Sequence, residues 1–147
     1  MASTRERVIQ AVAALVKSAL PKASHYRNEE KERAITAGGY VNVDDGDPGE
    51  PEVTLNPTTW IYEHQIPVEV AANGDRSARG ATAEANLDAM LQAIGLAVAA
   101  DRTLGGLCDY LMVQAAQTEG VTSEGAAVSR YALVNIVAVY GTTDPLN

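Results

Sequence analysis

The stretch AVSRYALVNIVAVY, residues 127–140, decides the fold because both of its alternating sets of side chains are apolar. Alternation with a period of two residues is typical of a β-strand. A strand with two apolar faces is covered on both sides. The sequence therefore predicts a central strand over Ala127–Tyr140, with faces formed by Tyr131, Leu133, Val137 and Val139 and by Val128, Val134, Ile136 and Tyr140.

A second long strand is predicted over Thr59–Ala72. Its inward face is apolar and its outward face is polar, the pattern of a half-buried strand. Pro67 indicates that it is an edge strand or contains a bulge, because proline cannot donate a ladder hydrogen bond. The inward set is Trp60, Tyr62, Ile66, Val68 and Val70, and shorter strands are predicted over Tyr40–Val43, Glu52–Asn56 and Asp109–Gln117.

Two helices flank these strands. Ser3 and Glu6 form a capping box at the start of the first helix, which Pro21 ends. Thr82 is the predicted N-cap of the second, whose alanine-rich surface is apolar nearly all round and is therefore expected to be covered on more than one side. Residues 22–39 are polar and are predicted to be irregular.

The predicted order is thus α-β-β-β-α-β-β, an α+β fold with two helices on one face of a mostly antiparallel sheet. The length of 147 residues fits a single domain over positions 1–147. Because two helices cover one face, an apolar opposite face would be covered by a second copy or another protein.

Charge is unevenly distributed along the chain. The formal net charge is −8, but the first 33 residues hold seven basic and four acidic side chains, against four basic and fifteen acidic in the rest. A protein that binds DNA without sequence preference is normally basic, so this class is disfavoured. The segment 44–52 is predicted to be an exposed acidic loop, and Pro48 and Pro51 disrupt the spacing of a calcium-binding loop.

No catalytic set is visible. The two histidines, His25 and His64, lie far apart in the sequence, so a zinc site would have to be assembled from distant parts, and Cys108 has no local nucleophile signature. We expect His64 to be a partly buried side chain with one hydrogen bond. The sequence thus predicts a protein without enzymatic activity, metal or cofactor. Its most apolar stretch, residues 89–100, is too short to span a membrane, and no leader peptide is evident.

Several segments together resemble the tail terminator (tail completion) proteins of long-tailed bacteriophages. They are the first helix, the acidic hairpin, the strand beginning Trp60-Ile61-Tyr62, the alanine-rich helix that runs into D-x-T-L-G-G at residues 101–106, and a closing strand ending V-A-V-Y-G-T at residues 137–142. The resemblance spans most of the chain. The length of the acidic loop departs from it.

The resemblance implies a structural role without catalytic residues. Such proteins form a ring, commonly a homohexamer, on the head-proximal end of the tail tube, where they end tube polymerisation and contact the head-tail connector. The implied partners are the chain itself, the tail tube protein and the connector, with DNA passing through the lumen unbound. The implied location is the virion neck, assembled in the host cytoplasm.

Candidate residues for a subunit interface or the lumen follow from the charge pattern. An acidic lumen would let DNA slide, whereas basic residues of the first helix would face a neighbouring subunit or the connector. The candidates are Asp44, Asp45, Asp47, Glu50, Glu52, Glu119, Glu124, Arg5, Arg7 and Arg102. Alternatives are a head-tail connector or stopper, another minor tail protein, and a small transferase with a polar pocket.

Overall fold

The computed structural model describes residues 2–74, 82–121 and 129–147, with no side-chain description at 119–121. Within these ranges the chain forms two helices and seven strands. In chain order they are α1 (Thr4–Ala19), β1 (Ser24–Arg27), β2 (Tyr40–Val43), β3 (Glu52–Thr54), β4 (Thr59–Asn73), α2 (Ala83–Ala100), β5 (Tyr110–Val113), β6 (Gln117–Val121) and β7 (Ser129–Thr142).

The strands form one sheet in the order β1-β2-β4-β7-β5, with β3 paired to β4 and β6 paired to β7. β1 and β2 are parallel, and the other pairs are antiparallel. The ladder between β4 and β7 is the longest, from Trp60 opposite Thr142 to Asn73 opposite Ser129. The predicted α+β class and mostly antiparallel sheet are confirmed.

Both helices pack on one face of the sheet, and the hydrophobic core lies between the helices and the sheet. Ile66 of β4, Ile136 of β7, Val12 of α1 and Ile94 of α2 are buried together there. The predicted helix starts are confirmed, since Ser3 Oγ accepts from the Glu6 amide and Thr82 Oγ1 from the Ala85 amide, both at 3.1 Å.

The prediction that residues 22–39 are irregular is wrong at β1. After β1, residues 28–36, which we call the strap, cross the outer face of the sheet, opposite the helices. The Asn42 side chain fixes the strap through two hydrogen bonds with the backbone of Glu29. The Arg33 guanidinium lies 5.4 Å from the centre of the Tyr26 ring. The chain thus covers the β1–β2 half of the outer face itself.

The β5–β7 half of the outer face is less well covered. Val134 and Val137 lie on opposite faces of β7 and are both buried, as predicted, but Leu133 is 37% exposed, so the prediction of a fully covered strand is wrong there. The helix α2 is also uncovered on one side, where Leu96 is exposed. The predicted strand Asp109–Gln117 is shortened to β5, and β6, which begins at Gln117, was not predicted; residues 127 and 128 lie outside the described ranges.

Pro67 does not mark an edge, because β4 lies between β2 and β7. The Pro67 carbonyl accepts from the Asp44 amide at 2.9 Å, so its ring nitrogen faces the point where β2 has ended. Between the pairs Val43–Val68 and Asp47–Gln65, residues 44–46 lie opposite only residues 66 and 67 of β4. The extra residue of this bulge therefore lies in the segment opposite Pro67, not in β4. Gly46 supplies the required left-handed conformation, with φ +67°.

We predict that Gly46→Ala lowers the free energy of unfolding by about 2 kcal/mol, because a Cβ there would overlap the Gln65 carbonyl oxygen in a left-handed backbone. Gly49→Ala is the matched control, since Gly49 also has a positive φ, +71°, but no atom lies within 4 Å of the position that a Cβ would take there. It should cost about 1 kcal/mol. Urea denaturation measures both, and equal losses would contradict the steric argument.

Candidate functional site

The first two residues of the acidic segment belong to the folded body. Asp44 and Asp45 are half-buried, so the prediction of an exposed loop is wrong for them. Burial raises the pKa of Asp44, and the neighbouring Glu69 and Asp45 charges raise it further. The Asp45 amide donates to the Asn28 side chain at 2.8 Å, which joins the segment to the strap.

Arg27 connects this segment to α1. Its Nη atoms donate to the two Glu6 carboxylate oxygens at 2.6 and 2.8 Å, and its Nε donates to Asp45 Oδ1 at 2.8 Å. Burial raises the pKa of Asp45, but the hydrogen bonds from Arg27 and Asn28 outweigh it and hold that pKa below its ordinary value. The same guanidinium lowers the pKa of Glu6. Arg27 therefore ties together α1, β1 and the start of the acidic segment.

His64 lies beneath the same segment and is fully buried. Its Nε2 is 2.6 Å from the Asp45 carbonyl oxygen and its Nδ1 is 2.9 Å from the Tyr140 hydroxyl. A carbonyl only accepts, so Nε2 carries the proton and Nδ1 accepts from the hydroxyl of Tyr140 in the neutral ring. The predicted single hydrogen bond is corrected to two.

Burial sets the ionisation of this pair. It lowers the pKa of His64 and raises the pKa of Tyr140 to about 12, so both are neutral at pH 7. The pair joins β4, β7 and the acidic segment by hydrogen bonds. Its arrangement stabilises the fold.

The remaining acidic candidates are placed differently. Asp47, Glu50 and Glu52 are exposed, and the Asp47 carboxylate accepts from the Gly49 amide at 2.8 Å. Glu119 lies in β6 and its side chain is not described, while Glu124 lies outside the described residues. Among the described candidates, the acids cluster beside β3 and β4, away from the β5 edge.

The basic candidates do not form a cluster. Arg5 and Arg7 are exposed on α1. Arg102 lies at the β5 edge, where its Nη1 donates to the Leu111 carbonyl at 3.1 Å and its guanidinium lies 5.4 Å from the Tyr110 ring centre. Its position follows from the turn after α2, in which Leu104, Gly105 and Gly106 have positive φ.

Two exposed apolar surfaces were not predicted from the sequence. The first, called here the arm, is the hairpin of residues 52–58, where Val53 is 49% and Leu55 76% exposed. The second, called the edge patch, consists of Tyr110, Met112 and Val113 of β5, which are 36–45% exposed. The signal was present, because Y-L-M-V at 110–113 is apolar at every position and one alternate set must face away from the helices.

A buried cysteine and a surface groove are two further features of the structure. Cys108 is buried, which raises the pKa of its thiol. A groove of about 560 Å³ lies between the strap and β6–β7 and is lined by charged and apolar residues including Lys31 and Leu133. In the described ranges no group of three His, Cys, Asp or Glu is placed to hold a metal ion. The described helices include none that is long and apolar enough to cross a membrane.

The sequence matches no family model and no curated protein. Among solved structures, a chain of the virion of a native gene transfer agent particle is similar to this one, with 17% identity and a TM-score of 0.37. The match covers 92% of this chain and 88% of that chain.

We predict a pH-dependent stability that originates at His64. Its pKa is lowered from 6.5 by burial, so the unfolded chain binds the proton more readily and stability falls as the pH drops below 6.5. The wild type should lose up to about 1.4 kcal/mol per pH unit as the pH falls below 6.5, relative to His64→Gln. Urea titrations at several pH values measure this, and parallel pH profiles for the two proteins would contradict it.

Proposed function

We propose that this protein is a structural subunit of a tailed-phage virion, a tail terminator that forms a homohexameric ring on the head-proximal end of the tail tube. The proposal is supported by the sequence resemblance described above and by the surfaces of the subunit. In this role the ring ends tube polymerisation and presents a docking surface to the head-tail connector.

The observation that carries the proposal is the presence of exposed apolar side chains on two separate parts of the sheet, the arm and the edge patch. Large apolar side chains concentrated on a surface mark contacts with other proteins. A ring with cyclic symmetry requires two different contact surfaces on each subunit, because each copy meets one neighbour on either side. The arm and the edge patch meet this requirement.

The buried pair His64–Tyr140 and the exposed Arg27 fit a structural role. His64, Tyr140 and Arg27 are engaged in hydrogen bonds that join elements of the fold. Arg5 and Arg7 are exposed basic side chains of α1, and we assign them to the contact with the connector. The tube protein contacts the opposite side of the ring.

The ring prediction is tested by size. The purified protein should form a closed ring of six subunits, seen as a single mass by native mass spectrometry and as an annulus by electron microscopy. Added to polymerising tail tube protein, it should stop tube growth at one end. A protein that stays monomeric at high concentration and leaves tube length unchanged would refute the proposal.

We assign the acidic lumen to Glu119, which lies in β6, and to Glu124, which follows β6 in the sequence. Asp45 is engaged within the fold and Glu52 lies in the arm, so we take Glu119 and Glu124 as the better lumen candidates. Fixed negative charge repels the DNA phosphates and prevents adhesion.

We predict that Glu119→Gln with Glu124→Gln leaves ring formation intact and slows DNA ejection at low salt, where screening is weakest. Asp88→Asn is the control, since Asp88 is an exposed acid on α2. Ejection rates of particles carrying each variant provide the measurement. If the double variant ejects DNA at the same rate as the wild type, Glu119 and Glu124 do not line the lumen.

A further inference from the structure

The arm and the edge patch lie on opposite edges of the sheet. β3 pairs with β4, β4 with β7, and β7 with β5, so the two central strands separate the arm from the edge patch. With strands about 4.8 Å apart, β3 and β5 are about 14 Å from one another across the sheet. Both surfaces are therefore available at the same time to two different neighbours.

Among the described residues, no strand pairs with β5 on the side away from β7. The Gln114 amide donates to the Asn135 carbonyl of β7, and residues alternate along the strand, so the Leu111 carbonyl points away from β7. Arg102 donates to that carbonyl and stacks on Tyr110. The edge thus presents apolar side chains beside a guanidinium.

The charge of the Arg102 guanidinium is not paired with a described carboxylate. In the described part of the chain, Arg130 pairs with Glu84 at 2.9 Å, whereas no described carboxylate lies within 4.0 Å of Arg102. A carboxylate from another molecule can approach a guanidinium that is held in place by a backbone bond and a ring.

The arm carries the complementary groups. Its exposed apolar residues, Val53 and Leu55, follow Glu50 and Glu52, and residues 50–58 contain no basic side chain. Glu50 and Glu52 are themselves exposed. An apolar tip with acids at its base matches an apolar patch with a guanidinium at its border.

We propose that the arm of one subunit docks on the β5 edge of a second copy, with Leu55 packed against Tyr110 and Met112 and with Glu52 paired to Arg102. The contact is head-to-tail, because the arm and the edge are different surfaces of one chain. Repetition of a head-to-tail contact gives a ring when the rotation between neighbours closes, as the proposed function requires. This inference rests on the proposed function and names the subunit contact that the ring requires.

The first experiment uses two complementary variants, Leu55→Asp and Met112→Asp. Each should lose rings, because each places a carboxylate in the apolar contact. Mixed together they should give a dimer of twice the 15.5 kDa chain mass and nothing larger, since only one intact arm and one intact edge remain in each pair. Leu146→Asp, at a side chain 92% exposed elsewhere, is the control and should keep its rings.

The outcomes separate the two proposals. If the wild type forms no ring, the proposed function fails and the contact fails with it. If the wild type forms rings and either variant also does, or if two folded ring-deficient variants give no dimer when mixed, the arm-to-edge contact alone is wrong. Circular dichroism of each variant verifies that it is folded.

A charge exchange tests the ion pair. Arg102→Glu should reduce the ring fraction at least tenfold at low salt, and adding Glu52→Arg to the same chain should restore it. Lys22→Glu, at an exposed basic side chain that follows α1, is the control and should leave rings unchanged. Failure of the second substitution to restore rings would overturn the pairing of Glu52 with Arg102.

Discussion

The antiparallel ladder between β4 and β7 is the constraint on which the rest of the structure depends. Its fourteen paired positions place the apolar face of both strands towards the helices. Because each strand pairs on its other side as well, β2 and β3 lie beyond β4, while β5 and β6 lie beyond β7. The ladder therefore also fixes the positions of the arm and the edge patch on opposite sides.

The sequence predicted the two strands of this ladder, though not their pairing, because local alternation determines which face of a strand is buried. It did not predict β1, whose parallel pairing with β2 brings Ser24 opposite Tyr40 across a polar segment with no local pattern. The edge interpretation of Pro67 was wrong for a related reason. Whether a proline lies at an edge depends on where the neighbouring strand ends, and β2 ends at Val43.

The sequence predicted which acidic residues belong to the candidate site, but it did not predict how they are arranged. The acids of residues 44–52 are evident in the sequence, but the bond from Arg27 that holds Asp45 joins positions 18 residues apart. Long-range pairing of this kind has no signature in a single sequence. The acidic segment is thus divided into two half-buried residues, of which Asp45 bonds to Arg27, and a distal part, including Glu50 and Glu52, that stays exposed.

The central claim is that copies of this chain join head to tail through opposite edges of the sheet. A cryo-electron microscopy reconstruction of the wild-type ring tests it most directly. The account predicts that residues 52–58 of each subunit lie on β5 of the next, with the Glu52 carboxylate beside Arg102. A ring in which the arm contacts no neighbour, or in which like surfaces of two subunits meet across a two-fold axis, would contradict it.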